Sequence, residues 1–114
     1  MKYRQGDVVI KKIDSVNGQK RQDLILAYGE VTGHRHEVIG KAETYIKDGV
    51  LYLKAEEEVT LYHGNTSQIE RQVKGEVLNY QTEDVHGPIT LPAGDYEIRI
   101  QREYEPEGWR YVAD

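Results

Sequence analysis

The sequence predicts a single all-β domain, a compact β-barrel or β-sandwich. Three observations carry this expectation. First, the 114 residues include nine Tyr, one Trp and no Phe, so the core must come from Val, Ile, Leu and Tyr, types that suit a pleated, half-buried surface. Second, short runs of such residues recur with turn signals roughly every ten positions, giving about seven to nine strands, the pattern of a sandwich or barrel. Third, Tyr96 to Arg102 alternates apolar and polar, with Tyr96, Ile98 and Ile100 facing inward and Glu97, Arg99 and Gln101 outward. The length fits one domain, residues 1–114, and leaves no room for a second.

Each element follows in order. Gly6-Asp7 reads as a turn that opens a first strand, Val8 to Ile13. Asp14 to Gln19 contains Asn17-Gly18 and is turn material, because Asn-Gly readily takes positive φ. Lys20 to Asp23 is charged and exposed. Leu24 to Tyr28 is a continuous apolar run, expected to be a strand buried on both faces. Gly29 and Gly33 bracket Glu30-Val31-Thr32, a strand end or bulge, and lead into a strand from His34 to Ile39. Asp48-Gly49 lies between Thr44–Lys47 and Val50–Lys54, the strongest hairpin signal, since a tight type I′ turn needs positive φ at both positions. Glu56-Glu57-Glu58 is a solvated break before a strand from Val59 to His63. Between Gly64 and Thr82 the pattern is ambiguous. Ile69 and Val73 at helical spacing allow a short helix over residues 67–74, and a polar β-hairpin fits as well. Gly75 to Tyr80 reads as a strand. Val85 to Asp95 holds Pro88 and Pro92 and should be a stiff turn into the last strand. Glu103 to Gly108 ends that strand, and the tail packs through Trp109, Tyr111 or Val112.

The charge balance narrows the function. A net charge of −5 is a poor match to duplex DNA, whose phosphates demand clustered Lys and Arg. The absence of Cys excludes disulfides, thiolate metal sites and thiol nucleophiles, so any metal must be held by His, Asp or Glu. No apolar run approaches the roughly 20 residues that span a bilayer, and the N-terminus lacks an apolar signal region, so no membrane association and a cytoplasmic location are expected. An exposed sheet edge would favour a homo-oligomer.

The sharpest signal is Gly33-His34-Arg35-His36. On a strand, side chains alternate, so His34 and His36 share one face and Arg35 takes the other. Neighbouring imidazoles can chelate a divalent metal or do acid–base work. His86 would complete a three-His set of ligands or catalytic groups, with Glu37, Glu97 or Asp84 as a carboxylate partner. The spacing leaves open whether His63 belongs to the same site. Arg35, Arg99 and Arg102, with Tyr104, are candidates for binding a small anionic ligand or nucleotide, and hydrolysis of a phosphoester is the first reaction class to consider. The competing class is a non-enzymatic binding module in which the histidines are structural.

Gly33-His34-Arg35-His36 together with Leu91-Pro92-Ala93-Gly94-Asp95-Tyr96 resembles the two motifs of the cupin superfamily, a jelly-roll-like barrel. That resemblance implies that His34 and His36 take the first two metal-ligand places. It also implies that Glu97 stands where the second motif carries its His. A second resemblance runs through Thr32–His36, His86–Tyr96, Gln101–Pro106 and Val112–Asp114, which are similar to a family of small bacterial and phage proteins. It implies no activity, but it groups His34, His36, His86 and the segment Gln101 to Tyr104 into one unit.

Overall fold

The computed structural model describes residues 1–29 and 31–101. Expectations that fall on Glu30, Arg102, Tyr104 and the segment from Glu103 to the end lie outside the described residues.

The all-β expectation holds, and the architecture is two packed antiparallel sheets with one short helix. The larger sheet has the order β1 (Lys2–Gln5), β2 (Val8–Ile13), β10 (Gly94–Ile100), β7 (Val50–Ala55), β6 (Ala42–Lys47), β3 (Gln19–Lys20). The smaller has the order β4 (Ile25–Tyr28), β5 (Arg35–Ile39), β8 (Val59–Gly64), β9 (Ile89–Leu91). The helix, α1 (Thr66–Val73), follows β8.

Alternation builds the core. Val8 and Ile10 on β2, Leu51 and Leu53 on β7, and Tyr96, Ile98 and Ile100 on β10 form one inner face. Leu26 and Ala27, Val38, Val59 and Leu61, and Leu91 form the facing one. The register fixes this, because Ile98 pairs with Ile10 on one side and Leu51 on the other. Directly opposed residues of an antiparallel ladder point to the same face. Tyr96 is fully buried, yet its hydroxyl donates to Pro92 O at 2.6 Å, so the polar tip is satisfied across the turn that precedes β10. The β6–β7 hairpin has the expected turn, with φ of 53° at Asp48 and 75° at Gly49.

Several local expectations are corrected. Leu24 to Tyr28 is not buried on both faces. It ends in β4, an edge strand, and a bulge between Ile25 and Ala27 turns both Leu26 and Ala27 inward while Tyr28 is exposed. Val31 to Gly33 is a turn, closed by His34 N–H donating to Val31 O at 3.0 Å. Gly75 to Tyr80 forms no strand; it holds one buried side chain, Leu78, under a loop. In the ambiguous segment the helix forms instead of the hairpin. Asn65 caps it by accepting from Gln68 N–H at 2.8 Å, while Gln68 Oε1 accepts from Asn65 N–H at 2.8 Å, a reciprocal capping box. Edge strands β1, β3 and β9 were not anticipated, being short or highly polar. The edges are brief, bulged or carry Lys2 and Arg4, features that blunt edge-to-edge pairing. No described helix is long and apolar enough to cross a membrane.

Candidate functional site: a cluster of four imidazoles

The inner face of the smaller sheet is apolar at one end and histidine-rich at the other. Along the β5 segment the buried positions are His34, His36 and Val38; along β8 they are Val59, Leu61 and His63. His36 pairs directly with His63, so the two imidazoles meet on one face, stacked with centroids 4.2 Å apart. His34 stands edge-on to His63 at 5.5 Å, and His86, from the loop before β9, lies 5.1 Å from His63. His63 is thus the hub of the cluster. His34, His36 and His63 are 6%, 2% and 5% exposed, whereas His86 is exposed.

Two glycines make room for these rings. Gly6 has φ of +59° in the β1–β2 turn, and a Cβ there would lie 2.8 Å from the His86 ring and 3.6 Å from His36 Cε1. Gly29 follows β4, where a Cβ would lie 3.2 Å from both His63 Nε2 and His34 Cβ. The cluster therefore has a backbone floor on two sides with no side chain filling it.

Hydrogen bonds fix the ring tautomers. Gln5 is buried at the end of β1, and its Nε2 donates to Leu61 O and Gly87 O, each at 2.9 Å. A carbonyl can only accept, so the amide is locked with Oε1 toward His36 Nδ1 at 2.8 Å. Oε1 can only accept as well, so His36 Nδ1 carries the hydrogen and Nε2 keeps its lone pair. His63 has the opposite arrangement. The His86 backbone N–H donates to His63 Nδ1 at 2.9 Å, which leaves the hydrogen on Nε2. Gln72 of α1 holds the same strand by donating to His63 O at 2.8 Å. His34 Nδ1 is buried and has no hydrogen-bond partner.

Burial and crowding keep the rings neutral. Desolvation, then the neighbouring His63, His86 and His34, push His36 down to about 3. Desolvation, then His86 and His34, push His63 down to about 4. At neutral pH these two rings offer nitrogen lone pairs and N–H donors, not positive charge.

The structure brings together three of the sequence-predicted residues, His34, His36 and His86, and adds His63. The other candidates stand elsewhere. Glu97 lies on the face of β10 opposite the buried Tyr96 and Ile98, and its carboxylate takes Arg99 Nε at 2.6 Å. The fourth ligand place implied for Glu97 by the cupin-like motif is therefore not filled by that residue. Arg35 and Glu37 likewise occupy the outer face of β5, paired at 2.7 Å, with Arg35 also donating to Thr66 Oγ1 at 3.0 Å. Strand alternation thus separates the arginines from the histidines, and the anion-binding role expected of Arg35 and Arg99 finds no support in it. Asp84 is exposed, with φ of 56°. Gln5 was missed because a single polar residue in a polar N-terminus carries no pattern. Its one sequence signal is its place beside the Gly6-Asp7 turn.

A surface groove of about 400 Å³ lies apart from the cluster, between the Lys20–Leu24 and Gly40–Thr44 segments. Its Lys20 and Arg21 are ion-paired with Glu43 and Asp23 at 2.7 and 3.2 Å. No histidine lines it.

The chain belongs to the DUF8820 family, described as a domain of unknown function, whose model matches residues 4–101. That span includes Gln5, both glycine cradles and all four histidines. Comparison with curated proteins and with solved structures finds no match.

Proposed function

We propose that this protein binds a divalent transition-metal ion through His34, His36 and His86. The observation that supports this most directly is the state of His36. Its Nδ1–H is tied to an amide that is itself locked by two carbonyls, the arrangement that orients a metal-binding imidazole and frees Nε2 for the ion. Its depressed pKa removes proton competition at neutral pH, because a ligating imidazole must be neutral. The same neutrality weighs against an anionic ligand held by the histidines alone, since neither His36 nor His63 supplies a positive charge. His34 adds a buried nitrogen without a partner.

Among the described residues no three His, Asp or Glu side chains are already set to hold a metal ion. His86 is the exposed ring, so it is the one with room to turn and close the set around the ion. Imidazole donors without thiolate or carboxylate suit Zn, Ni or Cu and not the hard, oxygen-seeking Mg or Ca. A Zn ion held by these three residues would supply activation of water toward attack. Hydrolysis of a small molecule is the reaction class that follows.

The test is elemental analysis of the purified, untagged protein beside the His34→Ala/His36→Ala variant. Near-stoichiometric metal in the wild type and none in the variant is expected. Absence of metal from the wild type, even after reconstitution with Zn, Ni and Cu salts, would overturn the reading. The histidines would then be structural groups of a non-enzymatic binding module.

A further inference from the structure

We propose that residues 65–88, the connection from β8 to β9, form a strap that opens as a unit while the two sheets stay folded, and that this opening gives solvent and ligands their way to the buried His63. The inference goes beyond the metal reading and holds whatever the cluster binds.

The sheets do not need this segment. β8 and β9 are antiparallel neighbours, with Leu61 opposite Ile89, and a tight turn suffices to join such a pair. Instead the chain makes a long excursion through α1 and a loop, a length that compact domains mostly use for lids and binding loops. The three buried apolar side chains of the excursion, Ile69, Leu78 and Val85, stand outside the continuous core between the sheets. Val73, Val77 and Tyr80 of the same segment are exposed. Lifting the strap therefore uncovers a small satellite cluster and leaves the core packing intact, the condition for a separate opening unit.

What the strap covers is the imidazole cluster. It leaves β8 at Gly64, which has φ of +144°; a Cβ there would lie 2.9 Å from Gln68 Cβ and 3.1 Å from Val85 Cγ1, so the closed strap seats on bare backbone. Gln72 Nε2 donates to His63 O at 2.8 Å, and the His86 N–H donates to His63 Nδ1 at 2.9 Å. Opening breaks both bonds and carries away the His86 ring that packs on His63. The closed state also buries Gln72 Oε1 without a partner, an acceptor that water satisfies once the strap lifts. By contrast, β5 and β8, which carry His36 and His63, are inner strands paired on both sides.

Two readouts on chelator-treated protein at pH 7 test this. The first is amide hydrogen exchange. The amides of Ile69, Lys74 and His86, all hydrogen-bonded within or beneath the strap, should exchange roughly 100-fold faster than the slowest amides of β7, β8 and β10. Ile98→Val should speed those sheet amides roughly fivefold and leave the strap amides unchanged. The second is acylation by diethyl pyrocarbonate, read by peptide mass, since trypsin places each of the four histidines in its own peptide. Val85→Ala should speed strap exchange and His63 acylation by one common factor, roughly tenfold. Equal exchange of strap and sheet amides in the wild type, or equal acceleration of both by Ile98→Val, would overturn the inference by making the domain one cooperative unit. His63 acylation as fast as that of the exposed His86 in the wild type, or unchanged in Val85→Ala while the strap amides speed up, would overturn it by showing that the strap does not control access.

Discussion

Acidification from pH 7 to pH 5 should destabilise this protein steeply, and the histidine cluster sets the size of the effect. In the unfolded chain each His titrates near its ordinary value of 6.5; in the folded protein His36 is pushed down to about 3 and His63 to about 4. The folded state therefore refuses protons that the unfolded state accepts. Stability is fully present above pH 6.5 and falls as the pH drops toward the folded values. Between pH 7 and pH 5 each ring should contribute a loss of about 2 kcal/mol, about 4 kcal/mol together, at ~1.4 kcal/mol per unit of separation. The loss continues below pH 5 toward a total of about 8 kcal/mol, comparable to the whole stability of an ordinary domain. Both rings are almost fully buried, so solvent screening does little to reduce this. Glu43, held low by its hydrogen bond to Lys20, changes protonation only below its ordinary 4.5. The assay is urea unfolding followed by far-ultraviolet circular dichroism at pH 7, 6 and 5 in metal-free buffer. A shift of the midpoint by about 2 M is expected for a urea slope near 2 kcal/mol/M. In His36→Gln about half of the pH dependence should disappear. An unchanged midpoint between pH 7 and pH 5 would refute the reasoning, since it would mean that the buried rings take up protons as readily as free histidine.

Three further outcomes follow from the same contacts. Gln5→Leu should cost about 3 kcal/mol in urea unfolding, because it strands Leu61 O, Gly87 O and the His36 Nδ1–H at once, and should weaken metal binding at least tenfold. Gly6→Ala forces a left-handed residue and drives a Cβ against the His86 ring; a loss of about 1–2 kcal/mol in the same assay is expected, with metal affinity falling more sharply than stability. Tyr96→Phe removes only the donation to Pro92 O and should lower stability modestly, by about 1 kcal/mol in urea unfolding, with metal content unchanged.

What the sequence determined by itself is what short-range periodicity can carry. A strand alternates faces regardless of its neighbours, so the His34–His36 pair and the inward set Tyr96, Ile98 and Ile100 were legible before any fold was known. Asp48-Gly49 was legible for the same reason, because its turn depends on the φ preferences of two residues. The helix after β8 was only half legible. Two apolar residues four apart do not separate one helical turn from a polar hairpin, and the Asn65–Gln68 capping box decided it. Tertiary structure alone decided the rest of the site. His63 joins through the register that sets it opposite His36, 27 positions away in sequence as counted from their numbers. Gln5 joins through bonds to residues 56 and 82 positions along the chain. Glu97 matched a motif position in sequence, yet alternation on β10 turned it to the outer face. The neutrality of the rings is likewise a property of burial and mutual repulsion, which no single segment possesses. Local pattern shows which side chains share a face; only the pairing of distant strands decides which faces meet.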